Sequence, residues 1–288
     1  MLKKRIVGVL IVRNGIVVQS VRFRTYLPVG HPQIAVEYLN RWGIDEIVLL
    51  DISATSRGAG PDLGMIRLVS AKCHVPLTVG GGIKSVADIH ALMRCGADKV
   101  SLNSSALNHK SLVGEAAAVF GNQCVVVSVD AVLTPSGHRV YDHINRQPTD
   151  LVPAQMVKRM QDLGAGEILV NSVDRDGTYR GYDIPLVESV CNVASVPVIA
   201  CGGAKTGADM ADLFQRTLVS AAAAANFFHF TEHSVILTKA IVGEKIPLRI
   251  ETHATYLGAK LDPEMRLLKR EDAALDELLY QREEPEVI

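Results

Sequence analysis

Val75-Pro76-Leu77-Thr78-Val79-Gly80-Gly81-Gly82 and Val196-Pro197-Val198-Ile199-Ala200-Cys201-Gly202-Gly203 share one plan: a Val-Pro start, a short apolar run, and a closing glycine pair. They lie 121 residues apart, as do Gly43-Ile44-Asp45-Glu46-Ile47 and Gly164-Ala165-Gly166-Glu167-Ile168. Two matches at one offset imply two similar halves. Working outward, β-branched apolar runs recur near Arg5 to Val12, Glu46 to Asp51, Pro76 to Val79, Lys99 to Leu102, Cys124 to Asp130, Glu167 to Asn171, Pro197 to Ala200 and Val219 to Ala224. Helical patterns such as His31 to Trp42, Ala87 to Cys95, Pro153 to Leu163 and Gly207 to Phe214 separate them. Strand and helix alternating eight times predict an α/β (β/α)8 TIM barrel of parallel strands. A half-barrel leaves its inner face exposed, so two halves facing each other explain the repeat.

The chain has 288 residues, 48% of them hydrophobic, enough for one large core over 1–250 with an appendage over 251–288. Its 30 basic and 31 acidic residues nearly cancel, so no global field draws it to nucleic acid or to an anionic membrane. Cys73, Cys95, Cys124, Cys191 and Cys201 lack paired spacing and read as reduced thiols, mostly buried. The basic start, Lys3-Lys4-Arg5, precedes an apolar run that ends at Arg13-Asn14-Gly15 without a small-residue cleavage site. No run reaches the roughly 18 apolar residues of a membrane span. A cytoplasmic location is the expectation.

Gly81-Gly82 and Gly202-Gly203 each follow a strand and precede a helix, where glycine lets backbone NH groups approach an anion. Each pair forms either half of a phosphate cradle or merely a tight βα turn. Asn103-Ser104 would complete the first cradle, and Ala225-Asn226 the second, extended by Asp176-Gly177. Two cradles across one mouth suit a ligand with two phosphates. Asp51, Asp130, Asp174 and Asp176 lie at or beyond strand ends, where barrel active sites are built; each serves either proton transfer or rim capping. At the strand beginnings, Arg5, Glu46, Lys99 and Glu167 would converge as a ring of two cations and two anions, which is ordinarily a stabilising feature. His229 and His233 share an i, i+4 spacing without a third ligand, so no metal or cofactor is expected. Adjacent Cys73 and His74 should diverge, and no nucleophile elbow occurs.

Lys4-Arg5-Ile6, Asp45-Glu46, Val79-Gly80-Gly81-Gly82-Ile83, Gly96-Ala97-Asp98-Lys99-Val100-Ser101, Ser172-Val173-Asp174-Arg175-Asp176-Gly177-Thr178 and Gly202-Gly203-Ala204 together resemble the cyclase subunit of imidazole glycerol phosphate synthase, over residues 1 to about 247. The resemblance implies a docked glutaminase partner, an ammonia gate at Arg5, Glu46, Lys99 and Glu167, and an interface residue in Asp98. It also implies a phosphorylated ligand and two catalytic aspartates. Only one of these is present, as Asp130. Ile11 occupies the place of the strand-one aspartate, and Gln19 replaces a substrate-binding lysine. Losing one acid–base partner predicts slow ring closure, since such groups commonly contribute about 10² to 10⁴-fold.

The apolar residue at position 11, with Val21-Arg22-Phe23-Arg24 leading to Val29-Gly30-His31-Pro32, is similar to a divergent branch associated with surface polysaccharides. Such members supply ammonia to a sugar amidotransferase that turns an N-acetyl sugar into an acetamidino sugar. Three readings follow: that ammonia-channelling subunit, a histidine-pathway cyclase whose missing acid or base comes from elsewhere, or a non-catalytic scaffold. Beyond residue 251, Asp262-Pro263 with Met265, Leu268, Leu275 and Leu279 predicts a final helix.

Overall fold

The computed structural model describes residues 3–55, 57–230, 233–249, 256–263, 266–268 and 271. The chain divides into two compact units, Met1–Leu257 and Gly258–Ile288. In the first, eight parallel staves close on themselves: β1 (Arg5–Arg13), β4 (Glu46–Asp51), β5 (Leu77–Gly80), β6 (Lys99–Leu102), β7 (Val125–Thr134), β10 (Glu167–Ser172), β11 (Val198–Cys201) and β12 (Ala221–Ala224). β1 pairs with both β12 and β4, and β10 pairs with β7, so no stave edge is left open. This is a (β/α)8 TIM barrel.

Helices α1 (Pro32–Arg41), α2 (Leu63–Ser70), α3 (Val86–Arg94), α4 (Ser104–Asn108), α5 (Ser111–Phe120), α6 (Pro153–Asp162), α7 (Ile184–Cys191), α8 (Gly207–Arg216), α9 (Phe227–Phe230) and α10 (Ser234–Gly243) lie between or after the staves. The period of two along a strand sorts β1 into two cores. Ile6, Leu10 and Val12 face the helices, while Val7, Val9 and Ile11 face the barrel interior with Val48, Val126, Leu169, Ile199, Ala221 and Ala223.

The 121-residue repeat extends to the helix starts. Pro32 and Pro153 open α1 and α6 at the first turn, where proline costs no hydrogen bond. Asp62 and Asp183 cap α2 and α7 by accepting from the amides of Met65 and Leu186, at 3.0 and 3.2 Å. The Asp88 carboxylate accepts from the amides of Lys84 and Ser85, and Asp209 does the same for Lys205 and Thr206.

Two hairpins absent from the strand reading also obey the offset. β2 (Ile16–Val21) folds back antiparallel on β1 and pairs with β3 (Thr25–Gly30). β8 (Gly137–Asp142) folds back on β7 and pairs with β9 (Gln147–Pro148). The first turn is Asn14-Gly15, with φ of 52° and 79°, the left-handed pair that a tight hairpin requires.

In the second unit, Leu261 bridges Leu267 antiparallel, and the Asp262 carboxylate accepts from the Arg266 amide at 2.8 Å. Asp262, the expected helix cap, thus lies next to a residue that pairs antiparallel with Leu267. The remainder of the expected helix, with Met265, Leu275 and Leu279, lies outside the described residues.

Candidate functional site

Arg5, Glu46, Lys99 and Glu167 are the first residues of four staves, and their side chains meet in a closed ring. Arg5 Nη1 and Nη2 reach Glu46 and Glu167 at 2.6 and 2.5 Å; Lys99 Nζ reaches the same two carboxylates at 2.9 and 2.7 Å. Thr78 Oγ1 donates to Glu46 at 3.2 Å. The carboxylates are buried, whereas the cations retain 20 to 27% of their side-chain exposure. Burial alone would lower the Lys99 ammonium, but Glu46 and Glu167 outweigh it and raise its pKa, as they raise that of Arg5. Asp98 is exposed beside the ring, and its carboxylate accepts from the Leu77 amide at 2.8 Å.

At the opposite end the glycine turns repeat in atomic detail. Gly81 and Gly202 have φ of 111° and 102°, and a Cβ on either would meet the carbonyl oxygen of Asp51 or Ser172, at 2.2 and 2.8 Å. Any other residue would collide with the neighbouring stave end. Gly82 packs equally closely on Ala59, and Gly203 on Gly181.

The side chains expected to complete the cradles are committed elsewhere. Asn103 donates to Asp130 Oδ2 at 2.7 Å. Asn226 accepts from the Ser20 amide at 3.1 Å and donates to its carbonyl at 2.6 Å. Asp176 accepts from the Ser20 hydroxyl and the Phe23 amide, at 2.6 and 3.2 Å. A Cβ on Gly177 would lie 2.4 Å from the Ser20 carbonyl oxygen. These residues clamp the β2–β3 hairpin, because a buried carboxylate and amide need partners and the hairpin backbone offers them. Burial pushes the Asp176 carboxyl up to about 6, which the Ser20 and Phe23 bonds only partly oppose. Ser104 opens α4, and Ala225 packs against the interior core. Backbone amides and the Ser104 hydroxyl are thus the donors left uncommitted beside the glycine turns among these residues.

The four rim aspartates separate into distinct roles. Asp51 Oδ1 accepts from the amide and hydroxyl of Ser53, at 2.9 and 2.6 Å, and its Oδ2 faces Arg57 at 3.4 Å. Asp174 accepts from the Leu133 amide at 2.7 Å, a rim-capping role. Asp130, buried in β7, lies against His143 Nε2 as well as Asn103. His143, just beyond β8, carries no motif in the sequence; the Thr134-Pro135-Ser136-Gly137 turn signal points to a returning strand that ends beside it. Ile11 is 8% exposed and joins the interior apolar cluster beside Val18, Leu50 and Tyr26. Gln19 Nε2 donates to Tyr179 Oη at 3.2 Å.

The histidine spacing resolves otherwise than expected. His229 belongs to α9 and His233 precedes α10 with a left-handed φ of 54°, so they do not share a helix; His233 Nδ1 meets Tyr256 Oη at 2.6 Å. All five cysteines are free; Cys95 and Cys191 are buried, the other three half-buried. No described helix is long and apolar enough to cross a membrane.

The family model described as "Histidine biosynthesis protein" matches residues 5–234. The chain is 38% identical over 263 residues to a Vibrio vulnificus protein provisionally named imidazole glycerol phosphate synthase subunit hisF2, covering 91% of this chain and 97% of that one. It is 41% identical to the imidazole glycerol phosphate synthase subunit HisF of Methanopyrus kandleri, covering 85% and 97%. With the HisF subunit of Bacillus cereus identity is 44%, over 82% of this chain and 94% of the relative. A barrel with a repeat extending to its helix caps, a charge ring at its strand starts and paired glycine turns at its mouth thus belongs to the histidine biosynthesis protein family, among relatives named HisF.

Proposed function

We propose that the chain is the ammonia-using barrel subunit of a glutamine amidotransferase of the imidazole glycerol phosphate synthase type. The observation that carries this reading is the closed Arg5–Glu46–Lys99–Glu167 ring, set at the end opposite Asp130 and the glycine turns. A neutral molecule such as ammonia crosses the apolar interior of Val7, Val48, Val126 and Leu169 more readily than an ion does. A glutaminase subunit would dock on the strand-start face around Asp98, with the ring as its ammonia gate. A phosphorylated acceptor would sit at the mouth, its phosphates on the backbone NH groups of Gly82 and Gly203.

The names of the relatives favour the histidine-pathway acceptor. One observation favours a second acceptor: Ile11 packs as a core residue and Gln19 is engaged by Tyr179, so neither offers a charge to the histidine precursor. That second reading is amidation of an N-acetyl sugar through a sugar amidotransferase in polysaccharide synthesis.

Purified chain, ammonium salt and the phosphorylated histidine-pathway ribonucleotide test the first reading. The expected result is turnover, slower by about 10² to 10⁴-fold than that of a HisF relative with an aspartate at position 11. Growth of a histidine auxotroph lacking its cyclase subunit is the cellular counterpart. No turnover and no growth, with sugar amidation once the sugar enzyme is added, would move the assignment to the second reading.

A further inference from the structure

Asp130 is not solitary at the mouth. His143 Nε2 lies within hydrogen-bond distance of its Oδ2, and the Asn103 amide donates to the same oxygen at 2.7 Å. Phe23 from the first hairpin and Tyr141 from the second hold the imidazole between them, each with its ring centroid 5.2 Å away. The carboxylate is buried, while 33% of the His143 side chain stays open. A buried carboxylate that fixes a half-open imidazole is the arrangement by which side chains hold and deliver a proton.

We infer that Asp130 and His143 form the acid–base pair of this mouth, with His143 carrying, at the reduced rate expected above, proton transfer for which Ile11 offers no group. The other rim groups are poorly suited to that task. Asp51 is tied within its own loop by Ser53, Asp174 caps the Leu133 amide, and Asp176 is buried beneath the hairpin. The charged and titratable groups around His143 are Asp130 on β7 with Asp142 and Tyr141 on β8, and Asp130 acts in turn on Asp176. Burial alone would lower the imidazole, but the Asp130 charge and hydrogen bond outweigh it and hold the proton to higher pH.

The inference rests on the ammonia-using reading, in which ammonia replaces the oxygen of a carbonyl-bearing acceptor. The ammonia lone pair forms the C–N bond as the C=O π pair moves to oxygen. The imidazolium N–H bond breaks and its proton passes to that oxygen; neutral imidazole then takes a proton from the new ammonium. A second transfer protonates the hydroxyl, the C–O bond breaks with its electron pair, water leaves, and C=N forms as nitrogen loses its proton. Carbonyl and ammonia become imine and water, without oxidant or reductant. With Nε2 engaged by Asp130, Nδ1 is the nitrogen that exchanges protons with the acceptor.

The test compares wild type, His143→Gln and His143→Asn in ammonium-dependent turnover of the histidine precursor from pH 6 to 9, alongside thermal unfolding. Glutamine preserves a hydrogen bond to Asp130 and guards against a folding defect. The expected result is a kcat lower by about 10² to 10⁴-fold at nearly constant KM, with loss of the alkaline limb that wild type shows as the imidazolium deprotonates. Unchanged kcat and pH profile in a folded variant would overturn the inference while leaving the function intact. Wild type without turnover would instead defeat the functional reading. An NMR titration of the His143 imidazole then decides: a pKa that falls in Asp130→Asn upholds the pair, and identical titrations overturn it.

Discussion

Ile11 occupies a site whose neighbours are Val9, Val18 and Leu50, with 8% of its surface exposed. A carboxyl placed there loses its water shell, and desolvation disfavours its charged form. Ile11→Asp should therefore cost about 1 to 3 kcal/mol at neutral pH. The sign with pH follows from a raised carboxyl pKa: the destabilisation is smallest where the group is protonated in both states, and it grows as pH rises through the folded-state value. Urea unfolding at pH 4.5 and 7.5, each referenced to wild type, checks this; a larger loss at the lower pH would contradict it. Under the histidine-pathway reading the same variant should also turn over faster with ammonium salt, by an amount that Gln19 limits.

At the scale of elements, the β2–β3 hairpin is held by side chains from two distant loops. Asp176 receives two hydrogen bonds on one oxygen, Oδ2, which an asparagine carbonyl can also supply. Since burial raises this carboxyl to about 6, the clamp favours the protonated form and weakens as pH rises through that value. Hydrogen exchange at the amides of Ser20 to Phe23, corrected for intrinsic rates, should show less protection at pH 7.5 than at 5. In Asp176→Asn that difference should vanish. On the helices, Asp88→Ala and Asp209→Ala should each cost about 1 kcal/mol, because each removes a carboxylate that satisfies two amides at a helix start. A midpoint shift in one variant and none in the other would break the equivalence of the halves.

The sequence is most readable where strand and helix follow one another without interruption: Glu46–Asp51 and Lys99–Leu102 coincide with their expected bounds, and all four ring residues open a stave. It is less readable where the chain doubles back. Asn14-Gly15 is a strong turn signal, but an apolar run that ends at a turn does not show that the chain returns along it, so β2, β3 and their mates β8 and β9 are not legible from the strand pattern. The loss spreads to the site. Without the hairpins, the side chains of Asn226 and Asp176 show no partner in the sequence, and His143 has no neighbour. Long-range partners such as Ser20 and Asn226, 206 residues apart, leave no local periodicity to read.

For the whole molecule, the ring ties β1, β4, β6 and β10 together across the barrel floor. Lys99→Ala would leave two buried carboxylates with only Arg5 between them. The expected cost is about 2 to 4 kcal/mol, somewhat below that of a fully enclosed pair because the ring cations keep part of their hydration. Lys99→Ala combined with Glu167→Gln should recover part of that loss in denaturant titration. Under the proposed function, the single variant should also lower the ratio of product made with glutamine to product made with ammonium salt. A ratio unchanged in a stable variant would reduce the ring to a stabilising feature.

The ring does not share the symmetry of the barrel that carries it. Glu46 and Glu167 are repeat mates, but the partners of Arg5 and Lys99 at the same offset are Val126 and Ser220. The first half thus contributes two cations and one anion, the second half one anion alone. A barrel assembled from two first halves would confront four cations with two anions, and one from two second halves would bury two carboxylates with no counterion. Only unlike halves neutralise each other. Mispairing of halves, which their shared plan of strands and helices would otherwise permit, is penalised at the barrel floor.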